Sequence, residues 1–189
     1  NKVSKDKIIK FSDQAKSSLM HRGPDGSNSI YIDDNILLGH TRLSIIDIDG
    51  GTQPMSNESQ SIWLTFNGEI YNYIEIKNDL RHRGYNFLTS SDSEVIIALY
   101  EFYGMDMFEH LNGMFAFCLY DKTKNKTILA RDRFGEKPLY YSFFNNQLIF
   151  SSELKALTLF PRVNLDKDYK ALGQFLSLGY IPAPRTHFK

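Results

Sequence analysis

The run MFAFCLYD (residues 114–121) decides the fold class. It is apolar at almost every position, so both alternating faces of an extended segment are expected to be buried. A Lys-Asn turn follows, and KTILARD (residues 126–132) then returns the chain as the second strand of a β-hairpin. A strand buried on both faces needs a covering layer on each side. Helices can supply one layer and a second sheet the other.

The flanking sequence provides both. LYYSFFNNQLIFSS (residues 139–152) reads as a second hairpin turning at Asn145-Asn146. Earlier in the chain, IWLTF (residues 62–66) reads as a strand. SIYI (residues 29–32) and ILLGHTRLSIID (residues 36–47) read as extended segments around the turn Asp33-Asp34-Asn35. The opening stretch to Met20 has helical spacing at Ile8, Phe11, Ala15 and Leu19, with Ser4 as N-cap. HRGPDG (residues 21–26) is turn chemistry. YIEIKNDLRHRG (residues 73–84) places Tyr73, Ile76 and Leu80 on one helical face, with Gly84 as the residue just past its end. Ser91 and Glu94 have capping-box spacing ahead of the helix VIIALYEFYG. Two shorter helices follow, around ELKALTLF and DYKALGQFLSL. The class is α+β with antiparallel sheets.

Composition narrows the chemistry. The 189 residues carry 22 Lys+Arg and 22 Asp+Glu, a net charge of zero, which disfavours nucleic acid as the main partner. Apolar residues make up 42%, enough for a folded core and against disorder. No run of about 18 apolar residues exists to span a membrane, and no leader opens the chain, so a cytoplasmic location is expected. The single cysteine, Cys118, lies in the apolar run and reads as a core residue, because a reactive thiol needs an electropositive, accessible setting. The five histidines show no metal-ligand spacing, although His21 and His40 sit where they could line a cleft.

Three polar features carry two readings each. Asn67-Gly68, at the end of a strand, is either a tight turn or an oxyanion site made by an amide side chain and the next backbone N–H. Arg42 is either a surface ion-pair partner or a bidentate grip on a carboxylate. Asp92 either complements a helix N-terminus or faces a ligand ammonium, and Glu69 belongs with it in the second reading.

Collinear stretches then bring in a resemblance. HRGPDG, GHTRLSIID (residues 39–47), QPM (53–55), FNGEIYN (66–72), SDSEV (91–95), LNGMFAF (111–117), RDRFGEKPLYY (131–141), FSSELKAL (150–157) and GYIPAP (179–184) occur in this order. The chain resembles the glutaminase domain of glutamine-dependent asparagine synthetases, within the class II glutamine amidotransferases. The resemblance covers nearly all of the chain from Leu19 onward. It implies a four-layer α/β/β/α sandwich of the N-terminal nucleophile hydrolase type, built on two mainly antiparallel sheets. It implies hydrolysis of glutamine to glutamate and ammonia, with Asn67 and Gly68 as oxyanion donors. Arg42 would hold the glutamine carboxylate, Glu69 and Asp92 its ammonium, and the backbone of Leu43, Ser44, Ile45 and Ile46 would wall the pocket.

The family's nucleophile is an N-terminal cysteine, in an opening Met-Cys-Gly-Ile that these residues lack. It is expected upstream of Asn1, and the 189 residues by themselves are expected to be inactive. The resemblance divides the chain into an amidotransferase domain (residues 1–178) and the start of a linker (179–189). A synthetase domain using ATP and Mg²⁺ to amidate aspartate would follow in the same chain. No cofactor or metal is expected in the glutaminase part. A homodimer fits the same expectation. Alternatives are the same glutaminase serving a sugar or another carboxylate, or a non-catalytic glutamine-binding module.

Overall fold

The computed structural model describes residues 4–33, 35–44, 47 and 50–189. Along the chain come α1 (Lys5–Leu19), β1 (Gly26–Ile32), β2 (Ile36–Arg42), β3 (Met55–Ser56), β4 (Ile62–Ile70), α2 (Tyr73–His82) and α3 (Ser93–Tyr103). Then follow β5 (Gly113–Asp121), β6 (Lys126–Arg131), β7 (Tyr140–Phe144), β8 (Gln147–Ser151), α4 (Leu154–Thr158) and α5 (Tyr169–Leu178).

The order β3-β4-β5-β6 forms one antiparallel sheet, while β1-β2 and β7-β8 are separate two-stranded hairpins. Period-2 alternation sorts β4 and β5 into two faces. Leu64, Phe66, Phe115, Phe117 and Leu119 point to one side, where they form a buried cluster with Val95, Ile96 and Leu99 of α3 and Ile76 and Leu80 of α2. Trp63, Cys118 and Tyr120 point to the other, against Ile32 and Leu38 of the first hairpin and the partly buried Phe150 of β8. Outside that second layer, α1 packs on β2 and α4, and α4 packs on β7 and β8. The result is helix, sheet, paired hairpins, helix, as the doubly buried MFAFCLY run predicts. The side chain of Phe117 is fully buried, and its truncation to Ala is worth about 3–5 kcal/mol.

Local chemistry explains the element ends. Asn145 and Asn146 both take positive φ (47° and 58°), the two-residue turn geometry whose twist matches the flanking strands. Helix α2 ends with Gly84 N–H on the Arg81 carbonyl and Tyr85 N–H on the Leu80 carbonyl, both at 2.9 Å, with Gly84 at φ 93°. At α5 the Asp168 carboxylate accepts the N–H groups of Lys170 (2.9 Å) and Ala171 (3.2 Å). Asp132 accepts four backbone N–H groups, from Phe115, Phe134, Glu136 and Lys137. Residues 179–189, the expected linker start, return to the base of α5. Lys189 N–H bonds the Asp166 carbonyl and Asp168 N–H bonds the His187 carbonyl.

Three expectations are corrected. Asn67-Gly68 is no turn: β4 runs on through Glu69 to Ile70, because Ala116 and Phe115 stand opposite and continue the ladder. Strand β2 stops at Arg42, where Asp25 takes the N–H of Ser44 at 2.8 Å and draws the chain off line. The capping box does not form. Asp92 is the N-cap residue, and the Glu94 carboxylate turns back to the Leu88 N–H and to the Thr89 N–H and hydroxyl. Satisfying three loop donors outweighs the single N-cap contact a capping box would give Glu94. Among the described residues, no helix is long and apolar enough to cross a membrane.

Candidate active site

The site lies on the hairpin-facing side of β4. Alternation sends Thr65, Asn67 and Glu69 to that face. There Thr65 meets β2: its hydroxyl lies 3.5 Å from the Gly39 carbonyl and 3.2 Å from His40 Nδ1. A cavity of about 1030 Å³ opens between the layers. Arg42, Leu43, Asn67, Gly68, Glu69 and Asp92 all line it. Six of the nine residues that the resemblance singles out therefore converge. Ser44 is not among the lining residues; its N–H is committed to Asp25. Ile45 and Ile46 lie outside the described residues.

The free edge of β4 supplies the next feature. Strand β3 pairs only with Trp63 and Leu64, so the edge is uncovered beyond that point. Side chains take over where the strand ends. Gln53 Oε1 accepts the Phe66 N–H at 2.6 Å, and Asp92 Oδ2 accepts the Ile70 N–H at 3.0 Å. Gly68 lies midway, so its N–H points to this same edge. The opposite residue agrees: Phe115 spends its own N–H and carbonyl on Asp132, not on Gly68. Among the described residues nothing accepts the Gly68 N–H. Beside it, Asn67 Nδ2 is buried with no hydrogen-bond partner among them either. Two adjacent donors without acceptors are costly unless a ligand oxygen completes them.

Position 68 must be glycine. Its φ is 155°, and a Cβ there would stand 2.1 Å from the Met114 carbonyl oxygen and 2.7 Å from Phe115 Cα. The close approach of β5 fixes the direction of the N–H.

Charge is arranged around these donors. Burial pushes the Asp92 carboxyl pKa up, and the nearby Glu69 charge adds to this, while N–H bonds from Ile70 and Ser93 oppose it. Two neighbouring carboxylates on one cavity favour a cation between them. Arg42 supplies the opposite charge; its guanidinium is steadied by the Asp47 carbonyl at 2.5 Å and lies against Gly51. Burial and the Arg42 charge lower the His40 pKa to about 4, so its imidazole is neutral at pH 7. Burial pushes the Cys118 thiol up to about 12, and that side chain is an inert core group.

The sequence reading missed the residues that brace this arrangement. Gln53 bridges the β4 edge and the Ser93 hydroxyl. Asp47 accepts N–H groups from Gly50 and Ser90, joining the Arg42 side to the loop before α3. Lys77, buried on α2, donates to the Thr89 carbonyl at 2.9 Å. A polar residue within an apolar helical face was the signal available at Lys77; Gln53 and Asp47 fall inside the stretches QPM and GHTRLSIID that carry the resemblance, which assigned neither a role. Among the described residues, no group of three or more His, Cys, Asp or Glu side chains is placed to hold a metal.

Comparison with known proteins fits this geometry. A glutamine amidotransferase domain model matches residues 2–189. Asparagine synthetase [glutamine-hydrolyzing] 1 of Bacillus subtilis is 43% identical over 173 residues, which is 92% of this chain and 27% of that protein. Asparagine synthetase B [glutamine-hydrolyzing] of Escherichia coli is 46% identical over 159 residues, 84% of this chain and 28% of that protein. The chain thus spans about a quarter of the length of these relatives. Among solved structures, the glutamine phosphoribosylpyrophosphate amidotransferase of B. subtilis superposes with a TM-score of 0.66 at 23% identity, over 82% of this chain and 41% of that one. That likeness speaks for the fold, the N-terminal nucleophile hydrolase sandwich. With its sequence matched end to end and its fold shared, the chain belongs to the glutamine amidotransferase domain family.

Proposed function

We propose that this domain hydrolyses glutamine to glutamate and ammonia, as the glutaminase half of an asparagine synthetase-like enzyme. One observation carries the reading: Asn67 Nδ2 and Gly68 N–H are adjacent, oriented and without acceptors among the described residues. As a nucleophile adds to the side-chain amide of glutamine, the amide oxygen becomes an oxyanion. Two fixed N–H donors stabilise that charge more than they stabilise the neutral carbonyl, which lowers the barrier. Arg42 binds the α-carboxylate, Glu69 and Asp92 bind the α-ammonium, and Leu43 lines the pocket beside them.

The nucleophile in this reading is a cysteine upstream of Asn1, since Cys118 is buried and its thiol stays protonated. Released ammonia serves a synthetase domain in the same chain, which uses ATP and Mg²⁺ to amidate aspartate. No cofactor takes part in glutamine hydrolysis itself. The enzyme is cytoplasmic, and a homodimer is compatible with it.

The test is glutamine titration by calorimetry together with ammonia release, on a polypeptide that includes the upstream residues. Turnover that disappears in Asn67→Ala supports the reading. Binding without turnover would make the domain a glutamine-binding module. Unchanged affinity in Arg42→Ala would remove Arg42 from its role.

A further inference from the structure

Asp47 bonds in two directions. Its backbone carbonyl accepts from the Arg42 guanidinium and from the Gly51 N–H at 3.0 Å. Its carboxylate accepts the Gly50 N–H at 2.9 Å on one oxygen and the Ser90 N–H at 2.8 Å on the other. Ser90 stands two residues before Asp92, the N-cap residue of α3. One residue is thus bonded to the arm that carries the Arg42 cation and to the arm that carries the Asp92 carboxylate. Among the described residues, Arg42, Gly51, Ser91 and Asp92 line the cavity and Asp47 does not.

The packing around this link is close. A Cβ on Gly50 would stand 2.5 Å from Asp47 Oδ2, and a Cβ on Gly51 would stand 2.6 Å from Arg42 Nη2. On the far side, Lys77 of α2 holds the Thr89 carbonyl, and Glu94 of α3 holds the N–H groups of Leu88 and Thr89. Those two fasten the loop to the helices beside it, whereas Asp47 fastens it across to Arg42. The Gly50 N–H does most to hold the Asp47 carboxyl below its ordinary pKa; burial opposes this, and Ser90, Ser91 and the Arg42 charge add to it. At neutral pH the side chain therefore offers two acceptor oxygens.

We propose that Asp47 is a positioning residue that sets the span between Arg42 and Asp92, and so makes the site selective for a ligand carrying a carboxylate and an ammonium on one carbon. The proposal rests on the glutamine reading of the site given above. A ligand held at two points gains from the second contact only when the two holders keep the matching separation. Fixing that separation in the free protein removes the ordering cost from the binding step.

The test is calorimetric titration, on a polypeptide that includes the upstream residues, with glutamine, with glutaramate (no ammonium) and with 4-aminobutanamide (no carboxylate). Asp47→Asn keeps one acceptor oxygen and Asp47→Gly keeps none. Both residue types accept the φ of 50° at this position, so neither variant strains the backbone. Glutamine affinity is expected to fall about tenfold in Asp47→Gly and by less in Asp47→Asn, with KM rising and kcat within about twofold of wild type. Affinity for either one-armed ligand is expected to change by less than about twofold. An equal loss for all three ligands overturns the proposal and makes Asp47 a structural residue. A loss shared by glutamine and only one of the other two also overturns it, since Asp47 then acts on a single arm. Unchanged glutamine affinity in both variants overturns it and leaves the glutaminase reading in place. A wild-type protein that neither binds nor hydrolyses glutamine removes that reading, and this proposal with it.

Discussion

The carboxylate of Asp92 accepts the backbone N–H of Ile70 at 3.0 Å. The start of α3 is thereby tied to the end of β4, two residues beyond Gly68. The same bond places a negative charge beside the cavity and closes one donor of the strand edge, leaving the Gly68 N–H next to it open. A pH dependence follows. Burial raises the Asp92 pKa above the ordinary aspartate value, so the group ionises later in the folded chain than in the unfolded one. Without ligand it therefore subtracts stability as pH rises through that interval. A bound ammonium favours the ionised form, so glutamine affinity is expected to fall as pH drops into the interval. Asp92→Asn should flatten that dependence and weaken binding at neutral pH by about tenfold to a hundredfold. Calorimetry across the acid range measures both effects; an unchanged pH profile in the variant removes Asp92 from the ammonium site.

Asn67→Ala should separate stability from catalysis. The amide nitrogen is buried and has no partner among the described residues, so its removal should change unfolding free energy by less than about 1 kcal/mol. Glutamine turnover by the nucleophile-bearing polypeptide should fall about 100-fold or more, mainly in kcat. Denaturant titration beside steady-state kinetics gives both numbers. Loss of stability without loss of rate would make Asn67 a structural residue.

Gly68→Ala is expected to behave in the opposite way. The added methyl meets the Met114 carbonyl oxygen and Phe115 Cα, and φ is unfavourable for a side chain. The strain should cost about 2 kcal/mol or more. A lowered denaturant midpoint with unchanged slope is the expected signature; wild-type stability would mean that β4 and β5 lie further apart than described.

His40 should make the fold acid-sensitive. Its pKa falls from 6.5 to about 4 on folding, so the unfolded chain binds the proton first. The contribution is fully present above 6.5 and is lost as pH falls towards about 4, with no further loss below. His40→Asn should show a shallower decline over that window in thermal or chemical unfolding. An identical slope in both proteins would place the titration elsewhere.

The architecture was legible where burial is symmetrical. MFAFCLY declared two covering layers, and both are present as Phe117 and Cys118 demand. The hairpin at Asn145-Asn146 was equally plain, because two adjacent asparagines suit positive φ. What failed depended on partners outside the local pattern. Asn67-Gly68 has the local composition of a turn, and only the register with Ala116 and Phe115 keeps it extended. Glu94 has capping-box spacing, yet the donors of Leu88 and Thr89 draw it away. Local patterns left Arg42, Asn67, Glu69 and Asp92 as separate ambiguities. Their likeness to a family brought them together, and the cavity gathers them in one place. The supporting role of Gln53 and Asp47 was not readable, since they satisfy backbone groups of segments far along the chain.

The pairing of β4 with β5 also orders events in time. The hairpin β5-β6 closes through a short turn, whereas the innermost contact of β4 with β5, Ile70 opposite Gly113, must first loop out α2 and α3. Closing the longer loop costs more chain entropy, so this step comes later on the folding route. Kinetic φ-values should accordingly be high at Leu129 and low at Ile70; the reverse ranking would refute this order. The N–H donors of Asn67 and Gly68 are set by that late step. On the proposed function, a nascent chain emerging from the ribosome is therefore blind to glutamine until Asp121 and the strand after it have been synthesised.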